Sequence, residues 1–544
     1  MIDEFLNFQI LIFCFVFVIY ILGSLKVEEE YRKRQGLCST LNIVCTKCGQ
    51  KTPFQTFKNL PGPGKAFDVN RRATFVMNEI GQGRKAMADI CSVFNMPPPS
   101  HSDSWSQTND KLLKTSREEL EKECNNAANR LRTLHMNEDE TRTITDDTII
   151  DVPVSFDGTW HHRGFKSSHG LGVAMSVDTG EVLDVEVLSK ECVDCRRMKS
   201  RGYDSDDDDY MIWEYHHFEG GYCNHNYEGP SGGMEQESAK VTWGRSLARH
   251  KLRYTAMLCD GDSKALNDLN TKHKPYGDIE IQKLDCVNHV HKRMGKGLRN
   301  LRKTSSVVKG GAAGLTDALI TSLTDYYRAA IMKNTTSSKD PAEITEAVNK
   351  MKTEIVAGLY HTVEHENPDI QHQYCSVDWC KYLQSKRDGT TLKPTKRNRL
   401  PFRYLSEMLP LYQRLSDPKL LERCVPGWTQ NQNEAFNHTV WQRCSKEKYS
   451  SSKAVERAVS SAVLCWNIGG IGRRNLMNRS GIPAGFHTSK ALLSMDTRRL
   501  NAAAACSSEQ EKKKRKHQKE EHLKEEQRQR ALKGDGYGAG QFND

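Results

Sequence analysis

The chain has 544 residues, a net charge of +10 and 37% apolar residues, as expected of a globular protein with roughly two to four domains. Its 17 cysteines argue against a disulfide scaffold in so long and charged a chain, and favour zinc ligands in a reducing compartment. The positive charge favours a polyanionic partner such as nucleic acid, although many soluble proteins without one are also basic.

The first 26 residues contain an apolar run from about Phe5 to Leu25, close to the length that spans a bilayer. Acidic rather than basic residues precede this run, unlike in a signal peptide. The basic residues that follow would place the rest of the chain in the cytoplasm if the run inserted. One expectation is therefore a single N-terminal transmembrane segment. The others are a buried helix and an N-terminus encoded by a degenerate first exon.

The pattern of the chain changes at several points, and these changes predict its domains. A Cys-containing stretch and helices come first, strand patterns begin near residue 149, and long helical patterns begin near residue 304. We predict an apolar segment at 1–26, an N-terminal Cys-containing and helical region at 27–148, the first part of the core at 149–303 with a zinc-knuckle insert at 189–232, a helical insertion at 304–401, C-terminal helices at 402–480, and a basic, disordered tail at 481–544.

The strand patterns after residue 149 have a recognisable order. Alternating apolar residues predict three strands in a meander, with a hairpin turn at the DTG of 178–180. Two further strands, at 253–262 and 279–286, alternate with helices. This order predicts an α/β, RNase H-like core of the retroviral-integrase type, interrupted by the zinc-knuckle loop and a long all-α insertion. In such a core the first and fourth strands are adjacent.

Two aspartates and a glutamate stand where this topology would bring them together. Asp157 follows the apolar pattern of the first strand, Asp260 ends the fourth, and Glu434 lies on a later helix. Converging carboxylates raise one another's pKa unless cations neutralise them, and two Mg²⁺ (or Mn²⁺) ions would do so while activating a nucleophile for phosphoryl transfer. Each aspartate is also part of an Asp-Gly pair, which is typical of turns, and Asp262 is an alternative to Asp260.

Six ordered motifs carry a family resemblance: FDGTWHHRG, VDTGEVLDVEVLSKECVDC, YEGPSGGME, DGDSK, DCVNHVHKRMG and NQNEAFNHTVWQRC. Together they resemble the Mutator-like (Kolobok-like) DDE transposases over about residues 27–481, whereas the first 25 residues do not match. The resemblance implies a DNA transposase whose catalytic, magnesium-binding triad is Asp157, Asp260 and Glu434. These acids are 103 and 174 residues apart, and the helical insertion accounts for the longer gap.

Cysteine and histidine pairs predict structural zinc sites. The strongest set joins a Cys-x-x-Cys pair to a loop some 20 residues on, and its histidine has two alternatives, His216 and His225. The Cys-x-x-His pair of Cys286 and His289 is similar to one that follows the second acid in Mutator-type transposases. One hypothesis is that this pair shares a zinc ion with ligands far away in the sequence. The predicted zinc ligands are Cys192, Cys195, His217 and Cys223, with a possible second group of Cys286, His289, His372, Cys375 and Cys380, and a possible N-terminal pair of Cys45 and Cys48.

A basic helix near residues 290–303 is the predicted DNA contact, because its cations would bind phosphate without reading sequence. Trp160 and His161 are further candidates for contact with DNA, although Trp160 also suits a protein core. The cations of the basic helix are Lys292, Arg293, Lys296, Arg299, Arg302 and Lys303.

The predicted function is a metal-dependent DNA transposase that cuts and joins transposon ends. Its partners would be double-stranded DNA, as terminal repeats and as target, and further copies of itself in a homo-oligomer. The KKKRK of 512–516 predicts a nuclear location. The alternatives are an inactive or domesticated DNA-binding derivative, a nuclease acting on RNA·DNA hybrids, and a membrane protein.

Overall fold

A computed structural model describes residues 25–60, 66–138, 147–162, 166–202, 207–221, 223–260, 264–310, 314–390, 400–507 and 521. Most of the predicted transmembrane run, Asp262 and the KKKRK of 512–516 lie outside these residues. No helix within the described ranges is long and apolar enough to cross a membrane. Leu25, which the sequence places in the apolar run, begins a strand.

The described residues fall into two compact units. The smaller is drawn from Met1–Thr74, Met87–Lys111 and Ile468–Asp544, and the larger from Phe75–Ala86 and Leu112–Asn467. The strands are β1 (Leu25–Glu29), β2 (Thr40–Cys45), β3 (Lys51–Gln55), β4 (Ile150–Trp160), β5 (His169–Ser176), β6 (Val182–Ser189), β7 (Leu252–Cys259) and β8 (Gln282–Asp285).

Helices make up most of the rest of the described chain. They are α1 (Asp68–Glu79), α2 (Arg84–Val93), α3 (Ser102–Glu138), α4 (Val193–Ser200), α5 (Asp208–Glu219), α6 (Met234–His250), α7 (Lys264–Asp268), α8 (Val287–Thr304), α9 (Asp317–Lys333), α10 (Pro341–Thr362), α11 (Pro368–Gln371), α12 (Lys381–Asp388), α13 (Tyr404–Leu415), α14 (Pro418–Glu422), α15 (Asn431–Arg443), α16 (Ser452–Ile468), α17 (Gly470–Arg479) and α18 (Phe486–Ser507). Two 3₁₀ turns occur at Tyr31–Lys33 and Ser231–Gly233, and a π-helical turn at Leu269–His273.

The smaller unit contains an antiparallel sheet in the order β1-β2-β3, where the sequence indicated only a Cys-containing region. Arg71 donates a hydrogen bond to the carbonyl oxygen of Ser480 at 2.8 Å, which joins α1 to the end of α17. Helix α18 occupies the first part of the predicted tail, so this part is helical rather than disordered. Its alanine-rich end and the buried Leu492 favour a helix.

The larger unit is built around a mixed sheet in the order β6-β5-β4-β7-β8. Strands β4, β5 and β6 form the expected antiparallel meander, and β7 and β8 continue the sheet in parallel with β4. The predicted adjacency of the first and fourth strands is therefore confirmed. Helix α6 packs on one face, where Trp243 meets Phe156 edge to face at 5.4 Å. Helices α15 and α16 cover the other face.

A proline in the central strand sets the register of the two strands that carry the aspartates. Val152 pairs with Tyr254, whereas Pro153 pairs with Ala256, so β7 gains one residue at this point. Proline has no N–H for the ladder and occurs inside sheets mainly at such bulges. Beyond the bulge Ser155 pairs with Leu258, and continuing this register sets Asp157 beside Asp260.

The predicted helical insertion shares a hydrophobic core with helices that flank it in sequence. Helices α9, α10 and α13 pack around fully buried residues such as Tyr327 and Met351. One face of α8 belongs to this core, through Val290, Met294 and Leu298. The predicted zinc-knuckle insert at 189–232 contains two helices, α4 and α5.

Close packing of α6 on β5 requires glycine at position 172. A Cβ built there would lie 2.5 Å from the Cβ of buried Ser238, a contact that the helix backbone must move to relieve. We expect Gly172→Ala to cost about 1–3 kcal/mol of stability, seen as a lower thermal unfolding temperature.

Gly244 on the same helix provides the matched control. A Cβ there would meet nothing within 4 Å, so Gly244→Ala should stabilise the helix by about 0.5–1 kcal/mol. Equal unfolding temperatures for the two variants would contradict this account of the α6–β5 packing.

Candidate active site

Helix α15 is attached to β4 by matched hydrogen bonds along both elements. Ser155 Oγ donates to Asn433 Oδ1 at 2.6 Å, and Asn437 Nδ2 donates to Asp157 Oδ2 at 2.7 Å. One step further, Trp441 donates to the hydroxyl of Thr159 at 3.0 Å. Two residues of a strand cover about 6.6 Å, and four residues of a helix cover about 6 Å. The bonded side chains of β4 and of α15 therefore remain opposite one another along both elements.

This attachment returns the chain from the helical insertion to the sheet and places Glu434 in the first turn of α15. The approach to the helix is also fixed, because the amide of Gln430 donates to Cys286 Sγ at 3.3 Å. The side chain of Gln430 donates to the carbonyl oxygen of Phe156 at 2.9 Å. Glu434 is 53% exposed, and a carboxylate near a helix N-terminus is favoured by the helix dipole.

Four carboxylates influence one another at this end of β4. Burial first, and then the neighbouring charges of Glu235, Asp260 and Glu434, raise the pKa of Asp157 to about 7. The pKa of Glu235 is also raised, by burial and then by Asp260. The structure thus brings the predicted Asp157, Asp260 and Glu434 together, and adds Glu235, which the sequence analysis missed.

A histidine and a lysine from α8 supply positive charge to this acidic site. His289 Nδ1 contacts Asp260 Oδ1, and its Nε2 lies 3.4 Å from Glu434 Oε1. The hydrogen bond to Asp260, together with Cys286, raises the pKa of His289 to about 10, and the same bond lowers the pKa of Asp260. Lys292 Nζ lies 3.8 Å from Glu434 Oε1. An imidazolium therefore lies between Asp260 and Glu434.

Gly158 allows the fourth acid to approach. A Cβ at this position would lie 2.7 Å from Glu235 Cγ, so only glycine leaves room for that side chain. Gly158 lies within β4, paired with Gly172 of β5. The expectation that Asp157 and Gly158 mark a turn is therefore wrong, because pairing with the neighbouring strand keeps the chain extended.

A comparison with known protein families identifies the family of this chain. The family model described as Mutator-like transposase matches residues 20–380, about two thirds of the chain. The chain belongs to the Mutator-like transposase family. No curated protein and no solved structure matches this transposase. Asp157, Glu235 and Asp260 lie within the matched range and Glu434 lies beyond it, so the structure alone relates Glu434 to the other acids.

The aromatic and histidine residues after Asp157 make contacts within the transposase. Trp160 donates to the carbonyl oxygen of Ser231 at 2.6 Å. His161 is fully buried, and its Nε2 lies 3.0 Å from the carbonyl oxygen of Ser445. Burial also lowers its pKa to about 4, so it is neutral at physiological pH. His161 is therefore a packing residue rather than a DNA contact.

The strongest predicted zinc set comes together in the transposase. The ligand atoms of this group lie within 4.8 Å of one another. Cys192 Sγ is 3.3 Å from His217 Nε2, and Cys195 Sγ is 3.7 Å from Cys223 Sγ. Ligand atoms at about 2.0–2.3 Å from a tetrahedral zinc ion are separated by comparable distances. The group could hold a metal ion, with His217 in the position for which His216 and His225 were alternatives. Its members are Cys192, Cys195, His217 and Cys223.

A second group forms in the helical insertion with a ligand that the sequence analysis missed. His361, at the end of α10, brings its Nδ1 to 3.1 Å from His372 Nδ1 and 3.5 Å from Cys375 Sγ. Cys380 Sγ lies 3.5 Å from His372 Nδ1. A search for a histidine about one helical segment before His372 could have found it, eleven residues upstream, but a helical histidine gives a weak signal. The group consists of His361, His372, Cys375 and Cys380.

The second group does not include Cys286 and His289, which the sequence analysis considered as partners. Cys286 accepts a hydrogen bond at the start of α15, and His289 contacts Asp260 and Glu434. Cys45 and Cys48 stand at the end of β2 and in the following turn, where backbone amides, that of Cys48 first, lower the pKa of Cys45. Among the described residues they belong to no group of three or more ligands.

The basic helix α8 exists as expected, but its cations face different surroundings. Lys292 faces the acidic site, and Arg293 is 3.7 Å from the buried carboxylate of Asp285. Arg299 and Arg302 turn toward Asp317 at 3.7 Å and 3.1 Å. A helical pattern indicates a basic helix without showing which of its faces is free for a ligand.

Proposed function

We propose that this transposase cuts and joins the DNA ends of its element by metal-dependent phosphoryl transfer, with Asp157, Asp260 and Glu434 as a DDE triad on an RNase H-like core. The observation that carries the proposal is the convergence of these three acids, which come from two adjacent strands and a helix. The strand order, with a three-stranded meander and two parallel strands beyond it, supports the RNase H-like assignment.

The acids suit a divalent cation of the magnesium type. Mg²⁺ prefers carboxylate oxygen ligands. The raised pKa of Asp157 reflects its burial first and then the negative charge of its neighbours, which a cation would neutralise. Asp157, Asp260 and Glu434 would hold two Mg²⁺ or Mn²⁺ ions, and Glu235 stands beside them. Bound metal would supply charge stabilisation for the attacking and leaving oxygens. Asn437 orients Asp157 through its hydrogen bond, and α15 holds Glu434 against the strand.

The remaining parts of the proposal concern stability and assembly. We propose that zinc occupies both Cys/His groups, each of which would tie helices of an insertion together. Double-stranded DNA, as terminal repeats and as target, is the proposed partner, and the active complex is a homo-oligomer. The KKKRK of 512–516, outside the described residues, supports a nuclear location.

Replacing Glu434 by glutamine tests the function directly, because this half-exposed side chain can change without disturbing the fold. We expect E434Q to lower Mg²⁺-dependent strand cleavage by about a thousandfold or more, since it removes a metal ligand worth several kcal/mol in the transition state. The substrate is a DNA duplex that carries the inverted repeats flanking the gene, and cleavage is followed on a denaturing gel.

Glu447→Gln is the matched control, because Glu447 is an exposed glutamate just beyond the same helix. It should cut at the wild-type rate. Wild-type cleavage by E434Q would disprove the triad. Binding without cleavage by the wild-type protein would instead favour an inactive, DNA-binding derivative.

A further inference from the structure

An open cavity of about 600 Å³ lies between α8 and the segment 414–423, which packs in the same hydrophobic core as the helical insertion. Four cations line it, two from each side: Arg293 and Lys296 on α8, with Arg414 and Arg423 opposite. Asp417, which also lines the cavity, accepts hydrogen bonds from the amides of Lys419 and Leu420 at 3.0 Å and 3.3 Å. The surface of the cavity is therefore strongly basic.

A buried carboxylate holds two of these cations in place. Asp285 is 1% exposed at the end of β8, and its Oδ2 accepts a hydrogen bond from Arg423 Nε at 2.6 Å. Its Oδ1 lies 3.7 Å from Arg293 Nη2. Because the contact with Arg423 uses one edge of the guanidinium, the remaining N–H groups can meet an anion. Asp285 thus acts as a positioning residue for an anion-binding site.

The cavity and the acidic site lie along the same face of α8. His289, Arg293, Lys296 and Asn300 follow one another at intervals of four, three and four residues, which places them on the same side of a helix. His289 contacts Asp260 and Asn300 lines the cavity. Asn300 follows His289 by eleven positions, a distance of about 16 Å along the helix. This length corresponds to about five nucleotides along one strand of B-form DNA.

We propose that this cavity binds the phosphodiester backbone of the DNA strand that leads to the scissile phosphate. The inference rests on the proposed function, and it assigns the binding to Arg293, Lys296, Arg414 and Arg423. Arg299 and Arg302, on another face of α8, pair with Asp317 and lie outside the cavity. Arg414 and Arg423 come from the segment that packs beside the helical insertion, so the proposed binding surface includes residues far from α8 in sequence.

The test reverses two exposed cations from opposite walls of the cavity, in the full-length protein. We expect the double variant K296E/R414E to bind a short fluorescent DNA duplex at least about tenfold more weakly than wild type. The slope of log affinity against log salt concentration should become shallower by about two, because about one counterion is released for each phosphate contact. Fluorescence anisotropy between about 50 and 200 mM salt measures both quantities.

The double variant K339E/K352E is the matched control, because it makes the same charge change on two exposed lysines of the helical insertion outside the cavity. It should keep wild-type affinity within about threefold, as expected when no phosphate contact is lost. Equal weakening of the two variants, no weakening of K296E/R414E, or no binding by wild type would overturn the inference. D157N separates the two proposals, because it should bind the duplex normally and fail only in cleavage.

Discussion

Asp157→Asn is expected to abolish DNA cleavage and to make the metal-free protein harder to unfold. Asparagine has nearly the same shape as aspartate and can still accept the hydrogen bond from Asn437. It cannot supply a carboxylate for the metal, so we expect cleavage to fall by about a thousandfold or more. It also removes one of four mutually repelling acids, which should stabilise the fold.

The stability effect has a defined pH window. Burial first, and then Glu235, Asp260 and Glu434, raise the pKa of Asp157 to about 7, while His289 opposes this rise. Between about pH 4 and pH 7 the folded protein therefore keeps a proton that the unfolded chain releases. Stability falls as the pH rises through this window and then levels off. The cost at neutral pH is on the order of a few kcal/mol.

Thermal unfolding in the presence of a chelator measures this effect. The unfolding temperature of D157N should exceed that of wild type by a margin that grows from about pH 4 to pH 7 and is constant above it. Added Mg²⁺ should stabilise wild type more than D157N, because a ligand that binds only the folded state raises its stability. A margin independent of pH would show that Asp157 ionises normally. Retained cleavage would remove it from the triad.

The loss of a zinc ligand is expected to have the second largest effect. The wild-type chain should contain two zinc ions, and Cys195→Ser and His361→Ala should each lose one. Structural zinc contributes about 10–16 kcal/mol to the folding of isolated zinc-finger peptides. Inside a larger core we expect each loss to lower the free energy of unfolding by several kcal/mol. Metal analysis by mass spectrometry and chemical unfolding measure the two effects.

His289→Ala is the informative control for the second group. It should retain both zinc ions, because His289 contacts Asp260 rather than the group that contains His372. Loss of a zinc ion from H289A, or two ions retained by H361A, would instead support a zinc site that combines His289 with the group of His372. Metal content decides between these ligand sets whatever the activity of the variants.

Patterns within short stretches of the chain were enough to predict much of this transposase. The alternation of Val152, Val154 and Phe156 predicted β4, and the meander and two later strands were found in the expected order. Ligands that are close in sequence, such as Cys192 with Cys195 or Cys375 with Cys380, were identified from spacing. These features depend on side-chain periodicity and local chain geometry, which the sequence expresses directly.

Other features depended on contacts between distant segments. The Asp-Gly of 157–158 is a turn signal locally, but pairing with β5 makes it part of a strand. His361 joins its Cys/His group only because α10 ends beside residues 372–380. Glu235 reaches the acids because Gly158, on another element, has no side chain.

The sequence by itself determined the residue types of the site and the order of the elements that carry them. Only the tertiary structure decided how these elements meet. A bulge at Pro153 brings Asp157 level with Asp260, and a row of hydrogen bonds holds α15 on β4. The packing of α8 against the insertion buries one of its faces and leaves another to line the basic cavity. Such choices follow from side-chain volume and hydrogen bonding between segments far apart in the chain, which no local pattern records.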